Sequence, residues 1–177
     1  MKIGLFFGST TCYTEMVAEK IQEAFAHYNG FEVVLHNIKS DALSLCQEYD
    51  FLLFGISTWD YGELQEDWES SWEEVSQLEL SGKMVALYGM GDQIGYSEWF
   101  QDALGMLHEQ LLPTEAYITG YWPNIGYEFI SSKALTTDQQ YFVGLSLDDE
   151  SQYQLTDERI VQWVKSIHDE IKEILAT

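Results

Sequence analysis

Apolar residues fall into two kinds of run that alternate along the chain. The first kind is short and carries little polar alternation: Ile3-Gly4-Leu5-Phe6-Phe7, Phe31-Glu32-Val33-Val34-Leu35-His36, Phe51-Leu52-Leu53-Phe54-Gly55-Ile56 and Met84-Val85-Ala86-Leu87-Tyr88. Runs of this length predict strands covered on both faces. The second kind is periodic. Val17, Ile21, Ala24, Phe25 and Tyr28 stand at i, i+4, i+7, i+8 and i+11, and Trp68, Trp72 and Val75 repeat at i, i+4 and i+7 within 66–75. Phe100, Ala103, Leu104, Leu107 and Leu111 share one face of a further helix, and Ile160, Val164, Ile167, Ile171 and Ile174 share one face of the last. Strand and helix alternate throughout. The expectation is an α/β fold, a doubly wound parallel sheet with helices on both sides.

The fifth strand is the least regular. Ala116-Tyr117-Ile118-Thr119-Gly120 starts it and Tyr141-Phe142-Val143-Gly144-Leu145 finishes it. The roughly twenty residues between, about 121–141, read as an insertion, because structureless loops of that length are uncommon in compact domains. A short helical piece is expected over 41–46, and 57–65 is expected to be a loop. Thr156 is placed as the cap of the last helix, with Asp157 and Glu158 in its first turn. Residues 1–177 then form one domain with a five-stranded sheet split in its fifth strand.

Charge narrows the partners. Thirty acidic against eight basic residues give a formal net charge of −22, which repels nucleic acid and anionic membrane surfaces and attracts basic proteins. Aromatic residues at 15% set the chain apart from acidic disordered sequences. No apolar run is long enough to span a membrane, and the run at 3–7 is too short for a signal peptide, so a cytoplasmic protein is expected; a monomer is expected as well. Only Cys12 and Cys46 are present, and no disulfide framework is implied.

The chemistry gathers on loops that leave the carboxyl ends of strands, where ligands of open α/β sheets lie. The first, Gly8-Ser9-Thr10-Thr11-Cys12-Tyr13-Thr14-Glu15, joins a strand to a helix N-terminus and carries the four Ser and Thr hydroxyls of Ser9, Thr10, Thr11 and Thr14, with no Lys or Arg between positions 3 and 19. It suits one phosphate held by N–H and O–H groups instead of cations. It lacks the glycine-lysine pair of a P-loop and the three glycines of a dinucleotide fingerprint. The second loop brings Trp59 and Tyr61, and the third, 89–98, brings Tyr96. Aromatic loops beside a phosphate loop suit a planar ring with a phosphate tail. None of His27, His36, His108 and His168 is placed as a general base, and Cys12 has no second cysteine close in sequence with which to form a disulfide.

Gly8-Ser9-Thr10-Thr11, Thr58-Trp59-Asp60-Tyr61-Gly62-Glu63-Leu64-Gln65 and Gly91-Asp92-Gln93-Ile94-Gly95-Tyr96 together resemble the long-chain flavodoxins, with the enteric-type second-flavodoxin group as the nearest branch. The likeness continues through Phe100-Gln101-Asp102-Ala103, Gly120-Tyr121-Trp122-Pro123, Gly126-Tyr127 and Phe142-Val143-Gly144-Leu145. It implies strand order 2-1-3-4-5, bound FMN and a low-potential carrier of single electrons that is not an enzyme. Its partners would be a basic flavodoxin/ferredoxin-NADP reductase and acceptor redox enzymes.

Carried over residue by residue, the phosphate would rest on Ser9, Thr10, Thr11, Cys12, Tyr13 and Thr14. Trp59 and Tyr96 would cover the two faces of the ring. Thr58, Gly62, Gly91 and Asp92 would complete its surroundings, and the peptide near Asp60 and Tyr61 would meet its reactive nitrogen. The chain departs from the family where Cys12 stands for a glycine and Met90 for a frequent threonine. Glu150 stands where relatives often have Asp near the ribityl chain, and it is not assigned to the site.

An FMN-dependent NAD(P)H reductase on the same fold is the alternative. Against it, no basic residues are placed to hold a dinucleotide phosphate. A receiver-type signalling module would need an acidic cluster and a phosphorylatable Asp where this chain has Gly8-Ser9 and Gly55-Ile56.

Overall fold

The computed structural model describes all 177 residues. Strand β1 (Lys2–Phe7) lies between β2 (Glu32–Asn37) and β3 (Phe51–Trp59), parallel to both, with Ile3 opposite Val33 on one side and Phe51 on the other. Between β1 and β2 the chain returns through helix α1 (Tyr13–Ala26), which buries Val17, Ala18, Ile21 and Phe25. The short helical piece expected at 41–46 is a 3-10 helix over Leu43–Glu48. After β3 come β4 (Glu63–Leu64), α2 (Glu66–Ser70), α3 (Trp72–Val75), β5 (Met84–Met90) and α4 (Asp102–Leu111). Then follow β6 (Tyr117–Thr119), β7 (Trp122–Pro123), β8 (Tyr141–Phe142), β9 (Leu145–Leu147) and α5 (Thr156–Leu175). The main sheet runs β2-β1-β3-β5-β6, with β9 also paired to β5. Counted by principal strands this is the expected order 2-1-3-4-5.

The unbroken apolar runs divide between two cores by strand pleat. Phe6, Leu52, Phe54 and Ile56 face one core with Trp68 and Leu104, while Ile3, Leu5, Phe7, Phe51 and Leu53 face the other with Phe25 and Trp163. No helix is long and apolar enough to cross a membrane.

Four expectations need correction. Most of the expected loop 57–65 is strand: Ser57–Trp59 complete β3, and β4 folds back on it with Thr58 opposite Leu64 and Trp59 opposite Glu63. Positive φ at Asp60 (44°) and Gly62 (86°) makes the tight turn between them. The single helix expected at 66–75 bends at Ser71 (φ −107°, ψ 9°). The bend leaves Trp68 Nε1 donating to Gly55 O at 2.8 Å, while the Trp72 carbonyl accepts from Gln110.

The second half of the split strand begins later than expected. Leu145–Leu147 pair with Tyr88–Met90, whereas Tyr141–Phe142 pair with Trp122–Pro123 inside the insertion. Gly144 marks the entry to the sheet, since a Cβ there would lie 2.3 Å from the Leu87 carbonyl oxygen. Thr156 is the first residue of α5 and does not cap it; its hydroxyl donates to Asp149 instead.

Candidate functional site

The carboxyl ends of β1, β3, β5 and β9 open into one cleft of about 370 Å³, within the size range of small-molecule sites. Thr11 and Tyr13 come from the first loop, Ser57, Thr58, Trp59 and Asp60 from the end of β3, Met90, Gly91, Asp92 and Tyr96 from the loop after β5, and Asp149 and Glu150 from the loop after β9.

The first loop is a nest of unpaired donors. None of the backbone N–H groups from Ser9 to Glu15 donates to an acceptor in the chain. Ser9 Oγ is buried and has no hydrogen-bond partner. A buried hydroxyl without a partner is costly unless a ligand completes it. Cys12, the residue before α1, adopts the left-handed conformation (φ 68°). This is the position where glycine is the unstrained choice, so the Cys12 backbone keeps the loop shape at a local cost. Not every hydroxyl faces the cleft. The Thr14 and Ser57 hydroxyls bond to each other at 2.5 Å, and Thr10 Oγ1 accepts from Gln65 Nε2 at 3.1 Å. Beneath the loop, the Tyr88 hydroxyl donates to Thr14 O at 2.9 Å, and burial holds that phenol well above its usual range.

Trp59, at the end of β3, and Tyr96, on the loop after β5, both line the cleft. Trp59 Nε1 is buried without a partner. Tyr61 does not line the cleft; it is 68% exposed and packs edge-on against Tyr96 (6.1 Å) and Trp99 (5.0 Å). Gly62 is likewise outside it, in the turn, where a Cβ would lie 2.9 Å from Asp102 Oδ2. The N-terminus of α4 supports this hairpin: Ala103 N–H donates to Thr58 Oγ1 at 3.0 Å. Burial pushes the Asp102 carboxyl up from the usual carboxylate range.

Asp92 shapes its own loop. Its Oδ1 accepts the N–H groups of Ile94 (3.1 Å) and Gly95 (2.8 Å), so the carboxylate braces the turn. The structure thus brings eight of the carried-over residues into the wall: Thr11, Tyr13, Thr58, Trp59, Asp60, Gly91, Asp92 and Tyr96. Ser9, Thr10, Cys12 and Thr14 form the loop beneath it.

Ser57, Met90, Asp149 and Glu150 line the cleft without having been assigned to it from the sequence. Met90 and Glu150 were visible only as departures from the family pattern. The signal for Asp149 and Glu150 was available: the loop after the second half of the split strand also leaves a carboxyl end. Placing that half at 141–145 instead of Leu145–Leu147 hid it.

Asp60, Asp92, Asp149 and Glu150 stand in the wall, and no Lys, Arg or His does. The cleft therefore takes an anion only at the N–H nest of the first loop, and otherwise favours neutral polar and aromatic surface. Ser9 Oγ and Trp59 Nε1, both buried and unpaired, fit a ligand with a phosphate at one end and a planar ring beside Trp59 and Tyr96.

The chain is similar to known proteins of one family over nearly its whole length. The sequence model of a family described as flavodoxin matches residues 5–163. The chain is 56% identical to flavodoxin 2 of Salmonella typhi over 98% of both chains. It is 44% identical to a flavodoxin of Nostoc over 96% of both. Among solved structures, the Fusobacterium nucleatum flavodoxin bound to flavin mononucleotide superposes with a TM-score of 0.88 at 24% identity, over 96% of this chain and 98% of that one.

Proposed function

The chain belongs to the flavodoxin family, and from that premise we propose that it carries single electrons on bound FMN between a reductase and acceptor enzymes. The observation that carries the proposal is the loop 9–15, a row of unpaired N–H groups with a buried, unpaired Ser9 hydroxyl and no cation. It suits the terminal phosphate of FMN and leaves no basic residue for a dinucleotide.

The flavin, when bound, supplies the one-electron chemistry, and the protein supplies orientation and electrostatics. Ser9 to Thr14 would hold the phosphate. Trp59 and Tyr96 would cover the ring and exclude water from it. Gly91 and Asp92 would lie at its pyrimidine edge, and the turn at Asp60–Gly62 would stand near the edge through which electrons leave. The carboxylates of Asp60, Asp92, Asp149 and Glu150 disfavour added negative charge in the cleft, which makes the reduced protein a ready donor. Electron transfer needs no general base, and no histidine lines the cleft.

The partner is read from charge. Between Lys39 and Lys83 the chain has no basic residue, and Asp60, Glu63, Glu66, Asp67, Glu69, Glu73 and Glu74 follow the cleft edge closely in sequence. A basic flavodoxin/ferredoxin-NADP reductase fits that face, in the cytoplasm, with the protein acting as a single-domain monomer. The test is comparative binding. FMN should quench on binding with appreciably higher affinity than riboflavin, and equal affinities would contradict a phosphate at residues 9–14.

A further inference from the structure

The insertion between β6 and β9 adds nothing to the main sheet, yet four of its hydrogen bonds outside itself reach the loop after β5, which walls the cleft. Ile130 and Ser131 donate their N–H groups to Ser97 O at 2.8 and 3.2 Å, and the Ser131 hydroxyl donates to Glu98 O at 2.6 Å. Glu128 N–H donates to Gln93 Oε1 at 2.5 Å. Gln93 is 1% exposed and Asp148 is fully buried. The other end of the Gln93 carboxamide donates to Asp148 Oδ2 at 2.8 Å, and the same oxygen accepts the Gln93 N–H at 3.1 Å. Asp148 Oδ1 accepts the N–H groups of Glu150 and Ser151 at 3.1 and 2.9 Å. One buried side chain therefore touches the insertion, the loop after β5 and the loop after β9.

We propose that Gln93 is a positioning residue through which the 121–140 insertion sets the placement of the loop carrying Asp92 and Tyr96. The inference rests on the assignment of that loop to the cofactor cleft. The Asp92 turn gives the loop its local shape but does not tie it to the body of the protein. Gly91 N–H is anchored to Leu147 O at 3.0 Å, and past Gly91 the buried ties run through Gln93, while Ile94, Gly95 and Tyr96 are exposed. A buried polar network of this kind holds one geometry only while every member is satisfied.

The test uses Gln93→Leu, which removes both side-chain bonds, and Glu128→Pro, which removes the N–H that Gln93 accepts and keeps the Gln93–Asp148 pair. Amide hydrogen exchange is followed in the protein as purified, together with the rate of FMN release on dilution. Both variants should exchange faster at residues 94–96 and release FMN about tenfold faster or more, while amides of β1 and β3 keep their protection. Unchanged exchange at 94–96 and unchanged release in both variants would overturn the proposal. So would a loss of protection spread evenly over the sheet, which would make Gln93 a contributor to overall stability alone. A wild-type protein that binds no FMN would instead count against the cofactor assignment, and the exchange measurement would still decide the role of Gln93.

Discussion

The carboxamide of Gln65 fills the space in front of Gly8: a Cβ on Gly8 would lie 2.1 Å from Gln65 Oε1 and 3.1 Å from Trp68 Cδ1. Gln65 is fully buried. Its Oε1 accepts the N–H groups of Asp67 and Trp68 at the start of α2, and its Nε2 donates to Thr10 Oγ1. The side chain that caps α2 thus also braces the loop below the cleft. Gln65→Ala should cost about 1–3 kcal/mol of stability through the donors left unpaired. Gly8→Ala should cost about 1–3 kcal/mol by overpacking. Because the same space is involved, the double variant should lose less than the sum of the two. Urea denaturation of the four proteins checks this, and strict additivity would show that the two residues do not share the space.

Cys12 occupies a left-handed position without the freedom of glycine. Cys12→Gly should therefore raise stability by about 1 kcal/mol and leave FMN affinity unchanged, because the N–H groups of the loop stay where they are. A destabilised variant in the same denaturation experiment would mean that the thiol makes a stabilising contact that outweighs the strain.

Tyr96 lines the cleft, as Trp59 does, and is 37% exposed. Tyr96→Ala should admit water beside the ring, ease the accumulation of negative charge, and raise the midpoint potential of the second reduction step while FMN stays bound. Potentiometric titration reads this directly. An unchanged potential would remove Tyr96 from the ring's surroundings.

The acidic stretch beginning at Asp60 predicts a salt-sensitive encounter with a basic reductase. Steering by a long-range field raises association rates roughly 10- to 1000-fold at low salt, and at an ionic strength of ~0.5 M the screening length of about 4 Å removes most of it. Stopped-flow transfer from a reduced flavodoxin reductase should slow across a salt series and with Glu63, Glu66 and Asp67 changed to Lys. A rate indifferent to both would place the docking surface elsewhere.

The central strands β1, β3 and β5 were legible because they are buried on both faces, so that Phe51 to Ile56 needed no alternation to be recognised. The α5 stripe was legible because Ile160, Val164, Ile167 and Ile171 all meet one core. What escaped depended on contacts remote in sequence. Tyr141 and Phe142 are a strand, but of the insertion, because Gly144 is the residue that slips past Leu87. Thr156 looks like a cap, but Asp149 takes its hydroxyl. The hydroxyl loop could be read as a phosphate cradle, yet the pairing of Thr14 with Ser57 and of Thr10 with Gln65 required the fold. The roles of Gln65 and Gln93 had no local signal, since a glutamine in a loop looks like any solvated residue until its partners are placed.

The central claim is that the chain carries electrons singly on FMN, and an anaerobic reductive titration followed by visible absorbance tests it most directly. The protein reconstituted with FMN should be reduced in two separated one-electron steps, with a spectrum midway that is no mixture of the two ends, and it should not be reduced rapidly by NADPH without a separate reductase. A single concerted two-electron step, or rapid turnover of NADPH by the protein alone, would contradict the account.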